Sequence, residues 1–80
     1  MRIELTRRAG KDYRTLSRQL QRQVDKQFDL LTGNLRHPSL DAKKYGGTDI
    51  WQGLVNRDYR FYFRIDNDTY RILMIIPHPK

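Results

Sequence analysis

The residues best suited to chemistry in this sequence are a histidine and an arginine near its carboxyl-terminal end. His78 directly follows the apolar run Ile72–Ile76 and stands between Pro77 and Pro79, which stiffen its backbone. Arg60 belongs to the strand-like run that comes before. Imidazole can transfer protons and guanidinium can stabilise charge on phosphorus, so the pair suits cleavage of RNA without a metal ion. A histidine that stood alone here would be interpreted as a solvated residue of the chain end.

The run around Arg60 alternates between apolar and cationic positions. Residues at every second position of a strand share a face. Tyr59, Phe61, Phe63 and Ile65 would therefore form an oily face, and Arg60, Tyr62 and Arg64 the opposite one. We expect the helices to cover the oily face and to leave the cationic and aromatic face open.

Cations in the preceding loop could reach the same open face. Lys43 and Lys44 lie between Asp41 and the first strand of the carboxyl-terminal half, although a lysine pair in a loop is commonly just solvated. Arg57 and Lys80 add positive charge at the turn and at the chain end. The predicted RNA-binding residues are Lys43, Arg57, Tyr62, Arg64 and Lys80. His37, which precedes Pro38, is interpreted as a structural residue at the end of the helical region.

The sequence argues against a metal site or a bound cofactor. His37 and His78 are far apart, cysteine is absent, and no tight carboxylate cluster accompanies them, whereas zinc sites need several such ligands. Asp66 and Asp68 are typical turn formers. We therefore expect no cofactor.

The composition indicates one small basic domain, residues 1–80. Sixteen Lys and Arg residues against nine Asp and Glu residues give a formal charge of +7 and a pI near 10.1. Such a charge favours an anionic partner, namely nucleic acid, an acidic protein or a membrane surface, or else belongs to a protein that is simply basic. The longest apolar run is too short to span a membrane, and the amino terminus lacks the apolar segment of a signal peptide. We expect a soluble, cytoplasmic protein with no membrane association.

The order of predicted elements is β-α-α-β-β-β. Met1–Leu5 is predicted as a strand, Thr6 as a helix N-cap, and Gly33-Asn34 as the helix end. An apolar stripe at helical spacing joins these points: Ala9, Tyr13, Leu16, Leu20, Val24, Phe28, Leu31 and Leu35. The stripe fits one long helix or two, and a break near Arg18 to Leu20 is favoured because a hairpin buries more surface in a small domain.

Three strands follow the helical region, after a polar loop from Asp41 to Thr48. They are Ile50–Val55, Tyr59–Ile65 and Thr69–Ile76, joined by turns at 56–58 and 66–68. The last is apolar on both faces and should lie within the sheet, beside the amino-terminal strand. The predicted fold is an α+β two-layer sandwich, with a helical hairpin on one face of a four-stranded, mainly antiparallel sheet. Gly53 indicates either close approach on the open face or a bulge.

Several of these segments together resemble the RelE/ParE toxin superfamily of bacterial and archaeal type II toxin–antitoxin systems. The resemblance covers nearly all 80 residues. It is carried by I-E-L-T-R-R-A-G-K-D-Y at the start, F-D-L-L at the helix end, H-P-S-L before the basic loop, Trp51 nine residues before Arg60, the strand Y-R-F-Y-F, and the terminal I-I-P-H-P-K.

The resemblance implies a helical hairpin on an antiparallel sheet and, for many members, cleavage of mRNA on the ribosome. It assigns Arg60 and His78 to the active site, with assistance from Lys44 and less securely from Lys43. Asp41 occupies the place of a carboxylate found in some members. Several members end in an aromatic residue, whereas this chain ends in Pro79-Lys80, so Tyr62 or Tyr45 would have to stack on a base.

The resemblance also implies a partner and leaves the target open. A cognate acidic antitoxin should neutralise the protein in a hetero-oligomer, and mRNA, on the ribosome, would be its substrate. The ParE branch instead poisons DNA gyrase, and a degenerate toxin would bind only its antitoxin. The presence of both Arg60 and His78 favours the ribonuclease.

Overall fold

Two helices lie against one face of a five-stranded sheet in the computed structural model, which describes residues 1–79. Lys80, a predicted RNA contact, lies outside the described residues. The elements in chain order are β1 (Arg2–Leu5), α1 (Arg7–Thr15), α2 (Arg18–Gly33), a 3-10 turn (Pro38–Leu40), β2 (Lys43–Lys44), β3 (Trp51–Leu54), β4 (Tyr59–Asp66) and β5 (Thr69–Pro77). No helix of residues 1–79 is long and apolar enough to cross a membrane.

The strand order across the sheet is β1-β5-β4-β3-β2. β1 pairs with β5 in parallel, and the other neighbours are antiparallel. This confirms the α+β class and the pairing of the last strand with the first. The predicted count of four strands is wrong, because Lys43 and Lys44 pair with Gln52 and Trp51 as a short edge strand. Two lysines carry no hydrophobic alternation, so the sequence pattern showed only a loop there.

The helical stripe forms two helices that meet at Leu16 and Ser17. The Thr6 side chain accepts from the Ala9 amide at 3.2 Å, as expected of an N-cap. Ser17 caps α2 in the same way, through the Leu20 amide at 3.2 Å. The break therefore comes just before the predicted position, since a serine side chain can replace the missing backbone partner at a helix start.

The core lies between the two helices and the sheet face that they cover. Its buried side chains are Ala9, Val24, Leu31, Leu40, Val55, Phe61, Phe63, Tyr70, Ile72 and Ile75. Phe61 and Phe63 are fully buried, as the alternation predicted, whereas Ile65 is 38% exposed. The prediction of Ile65 as a core residue is therefore wrong, although Tyr70, its partner across the β4–β5 ladder, is buried.

A bulge in β5 changes which of its residues face the core. Tyr62 pairs with Met74 and Phe63 pairs with Ile72, so Leu73 is an extra residue between them. Ile72 and Ile75 can therefore both point into the core. The Thr6 hydroxyl donates to the Leu73 carbonyl at 3.1 Å, and Asp12 accepts from the Ile75 amide at 3.0 Å. α1 thus satisfies the backbone groups that the end of β1 leaves unpaired.

Gly53 permits close packing on the core face, not on the open face. It lies opposite Phe61 in the β3–β4 ladder, and a Cβ atom at Gly53 would stand 2.5 Å from Phe61 Cζ. The bulge that the glycine alternatively suggested occurs in β5 instead.

Candidate nucleic-acid interface

The sheet face that points away from the helices contains two rows of residues defined by strand pairing. Directly opposite residues of paired strands project to the same side. One row is Leu54, Arg60 and Ile76; the other is Gln52, Tyr62 and Met74, with Lys43 opposite Gln52. We call these residues, with Tyr45, the open face. All except Lys43 and Tyr45 are half-buried, so the open face is a close-packed surface with Lys43 at its edge.

Two tyrosines of the open face are held by one amide oxygen. The Tyr45 and Tyr62 hydroxyls both donate to Gln52 Oε1, at 2.8 Å and 3.1 Å. Their rings are nearly parallel, at 20°, with centroids 6.2 Å apart. Burial raises the pKa of Tyr62 above its usual value, and the nearby Tyr45 adds to this, although the charge of Arg60 opposes it. The Tyr62 hydroxyl is therefore protonated at neutral pH and does not suit proton abstraction. Its flat ring is suited to stacking on a base.

The guanidinium of Arg60 is bound to the turn between β3 and β4. Its Nη1 donates to the carbonyl oxygens of Asn56 at 2.7 Å, Arg57 at 2.9 Å and Tyr59 at 3.1 Å. Its Nε is buried and has no hydrogen-bond partner among residues 1–79. Nη2 is therefore the group best placed to reach a phosphate. The alternation of the strand predicted the face of Arg60 but not this structural role.

His78 is attached to the same turn through its backbone. Tyr59 and Pro77 are paired across β4 and β5, and the His78 amide donates to the Asp58 carbonyl at 2.7 Å. The His78 side chain is exposed. Arg60 and His78 are thus both anchored on the turn between β3 and β4, where the side chain of Arg57 is exposed.

The two lysines of β2 lie on different sides of the sheet. Lys43 shares its side with Gln52 and Tyr62, whereas Lys44 lies opposite Trp51 and so on the side of Phe63. Lys43 Nζ is 3.5 Å from Asp41 Oδ2. Lys43, rather than the predicted catalytic Lys44, is therefore the lysine on the face of Arg60.

Carboxylates partly neutralise the cations at the other end of β4. Arg64 Nε is 3.3 Å from Asp49 Oδ2. Arg71 lies beside it and contacts Asp66 at 3.0 Å and Glu4 at 3.5 Å. Arg57 forms no ion pair within the described part of the chain. Of the predicted RNA contacts, the charge of Arg64 is therefore partly neutralised by a carboxylate. The charge of Arg57 is not neutralised within residues 1–79.

His37 lies apart from this interface and has a structural contact. Its Nδ1 accepts from the Ser39 amide at 3.1 Å and caps the 3-10 turn. It also lines a cavity of about 370 Å³ with Leu35, Arg36, Pro38, Asp41, Ala42 and Trp51. Among residues 1–79, no three His, Cys, Asp or Glu side chains are grouped so that they could hold a metal ion.

Three polar residues of the site were not predicted from the sequence. Gln52 holds the tyrosine pair. Asn56 organises the turn, and Gln23 of α2 contacts Asn56 at 2.6 Å. The turn at 56–58 was predicted, and an asparagine that opens a turn is a recognisable signal for the turn itself, whereas the contact from Gln23 depends on tertiary packing.

Comparison with solved structures finds the same fold over the whole chain. A YoeB/ParE toxin from Agrobacterium tumefaciens superposes with a TM-score of 0.84 at 12% sequence identity, over 99% of this chain and 100% of the other. The chain has the fold of RelE/ParE toxins. A RelE–RelB complex from Pyrococcus horikoshii OT3 gives 0.80 at 21% identity, over 95% of this chain and 92% of the other.

A YoeB–YefM complex from Staphylococcus aureus also contains the RelE/ParE toxin fold. It superposes with a TM-score of 0.81 at 14% identity, over 99% of this chain and 98% of that one. No family model matches the sequence, and a search of curated proteins finds no match. The resemblance of the sequence to the RelE/ParE toxins is thereby confirmed at the level of the fold.

Proposed function

We propose that this protein is the toxin of a type II toxin–antitoxin pair and that it cleaves mRNA. The proposed active site lies at the β3–β4 turn of the protein. The observation that carries the proposal is the attachment of His78 and Arg60 to the same four-residue turn. That turn also presents the exposed Arg57. An imidazole and two guanidinium groups at one corner are the groups that metal-independent RNA cleavage requires.

The reaction is an attack of the ribose 2′-oxygen on the adjacent phosphorus. The bond from phosphorus to the 5′-oxygen breaks, and a proton passes from the 2′-hydroxyl to the leaving 5′-oxygen. His78 takes part in this proton transfer, and Arg60 Nη2 and Arg57 stabilise the negative charge on the phosphate. The products are a 2′,3′-cyclic phosphate and a 5′-hydroxyl. Tyr62 and Tyr45 provide a flat surface for a base, and Lys43 contacts the RNA backbone.

The proposed protein partner is an acidic antitoxin that covers the toxin in a hetero-oligomer. The net charge of +7 supports an anionic partner. Solved proteins with this fold include toxin–antitoxin complexes, RelE with RelB and YoeB with YefM. The proposed site of action is the ribosome in the cytoplasm, where mRNA is accessible.

The first prediction tests His78 against the other histidine of the chain. His78→Ala should lower the cleavage rate by a factor of about 10² to 10⁴, the usual contribution of a general acid–base group. His37→Ala is the matched control and should retain activity because His37 caps the 3-10 turn and is not attached to the β3–β4 turn. The measurement is primer extension on mRNA after induced expression, followed by analysis of the product ends.

Two results would contradict the proposal. Products with a 5′-phosphate would require a different chemistry. Growth arrest that persists undiminished in folded His78→Ala without mRNA cleavage would mean that the toxin acts by binding a protein target such as gyrase.

A further inference from the structure

The side chain and the backbone carbonyl of Asn56 form four hydrogen bonds at the β3–β4 turn. Its Oδ1 accepts from the amides of Asp58 at 2.7 Å and Tyr59 at 2.9 Å. Its Nδ2 donates to Gln23 Oε1 at 2.6 Å, which ties the turn to α2. Its carbonyl accepts from Arg60 Nη1 at 2.7 Å. The side chain fixes the turn from inside, while its carbonyl holds the arginine.

The turn held by Asn56 is the part of the fold to which both proposed catalytic residues are attached. Asp58, whose amide is bound by Asn56, provides the carbonyl that accepts from the His78 amide at 2.7 Å. Arg57 and Asn56 provide carbonyls for Arg60. A change in the turn would therefore move His78 and Arg60 relative to each other.

The same side chain is not needed to hold the hairpin together. β3 and β4 are registered by the pairing of Trp51 with Phe63 and Gly53 with Phe61, and both phenylalanines are fully buried. Asp58 is exposed and Tyr59 is half-buried, so the Asp58 amide, once released from the Asn56 side chain, could bond to water at small cost. Loss of Asn56 would thus disturb geometry more than stability.

We propose that Asn56 is a positioning residue for RNA cleavage, which holds the β3–β4 turn in the conformation that brings Arg60 and His78 to one phosphate. Gln23 supports it from α2. This inference rests on the proposed ribonuclease function. It assigns a catalytic consequence to a side chain that does not itself contact the RNA.

The experiment compares Asn56→Ala, Asn56→Asp and Gln23→Ala in cleavage kinetics at a temperature where all variants are folded. Asn56→Ala should lower kcat by about 10- to 100-fold, because small misplacements of catalytic groups have effects of this size. KM should stay within about twofold, because Arg57 and Lys43 still bind the RNA backbone. Asn56→Asp keeps the acceptor for both turn amides, and Gln23 can rotate its amide to donate, so this variant should recover most of kcat. Gln23→Ala should have a smaller effect than Asn56→Ala.

A kcat that falls only in proportion to the unfolded fraction would overturn the proposal, as would a raised KM with unchanged kcat.

Amide hydrogen exchange of His78 gives a second test that needs no cleavage. The His78 amide should be protected in the wild type and lose protection in Asn56→Ala but not in Asn56→Asp. Loss of that pattern would refute the positioning role, whereas its presence in a protein that cleaves no RNA would refute only the ribonuclease function.

Discussion

Arg60 combines a structural and a proposed catalytic task in one side chain. Nη1 is bound to carbonyl oxygens of the β3–β4 turn, and Nε is buried. A guanidinium can do this because its donors point in several fixed directions. Nη2 is then the nitrogen left to contact a phosphate, so Arg60 would bind it through one nitrogen and not through a two-pronged contact.

The second prediction separates these two tasks of Arg60. Arg60→Ala should lower the free energy of unfolding by about 1 to 3 kcal/mol, since hydrogen bonds from a charged donor are lost. Arg60→Lys should restore part of that stability, because an ammonium can still reach a turn carbonyl, but it should not restore cleavage. Urea unfolding and product analysis measure the two effects. Arg64→Lys is the control, and cleavage by Arg60→Lys at the wild-type rate would contradict the role of Nη2.

The β3–β4 hairpin supports the open face through the residues that it packs on the core side of the sheet. Gly53 leaves room for the Phe61 ring, which lies under it and also packs edge-on against Phe28 with ring centroids 5.2 Å apart. Without this space Phe61 could not fill the core between the sheet and α2. The glycine of β3 is therefore a packing requirement of the hairpin that carries the proposed catalytic turn.

The third prediction concerns Gly53→Ala. The added methyl group would stand 2.5 Å from Phe61 Cζ, so the ring or β3 must move. We expect a loss of about 1 to 3 kcal/mol in the free energy of unfolding, the usual effect of overpacking. Gly46→Ala is the matched control because nothing lies within 4 Å of its added methyl group. Equal stability of the two variants in urea unfolding would show that β3 yields without strain.

At the scale of the whole molecule, the positive charge is not confined to the proposed site. Exposed cations also follow the outer surfaces of α1 and α2, among them Arg7, Lys11, Arg14, Arg18, Arg22 and Lys26. On the sheet, by contrast, Asp49, Asp66 and Glu4 compensate Arg64 and Arg71. Net charge alone would therefore assign RNA to the helices as readily as to the sheet.

The fourth prediction uses salt dependence to locate the RNA. In a His78→Ala background that leaves the RNA intact, Arg57→Ala should reduce the slope of log affinity against log salt by about 0.7, the contribution of one phosphate contact on a single strand. Arg64→Ala should reduce it less, because Asp49 already neutralises Arg64. Arg14→Ala on the helix surface should leave the slope unchanged. A larger effect from Arg14 than from Arg57 would place the RNA on the helices and not on the open face.

The sequence by itself determined the class of fold and which residues of β4 face the core. Hydrophobic periodicity identified the helical stripe and β4, and Thr6 was predicted as an N-cap because it bonds to the chain next to it. Such features depend on neighbours within a few residues. The positions of Phe61 and Phe63 followed for the same reason.

Only the tertiary structure decided where the residues of the candidate site lie relative to one another. The face of the sheet on which Lys44 lies depends on its pairing with Trp51. The bulge at Leu73 depends on the register of β5 against β4. The backbone of His78 is bound to a carbonyl twenty residues earlier in the chain. The bond from Gln23 to Asn56 joins residues 33 positions apart. No local pattern contains these contacts, because they form when packing of the core brings distant segments together.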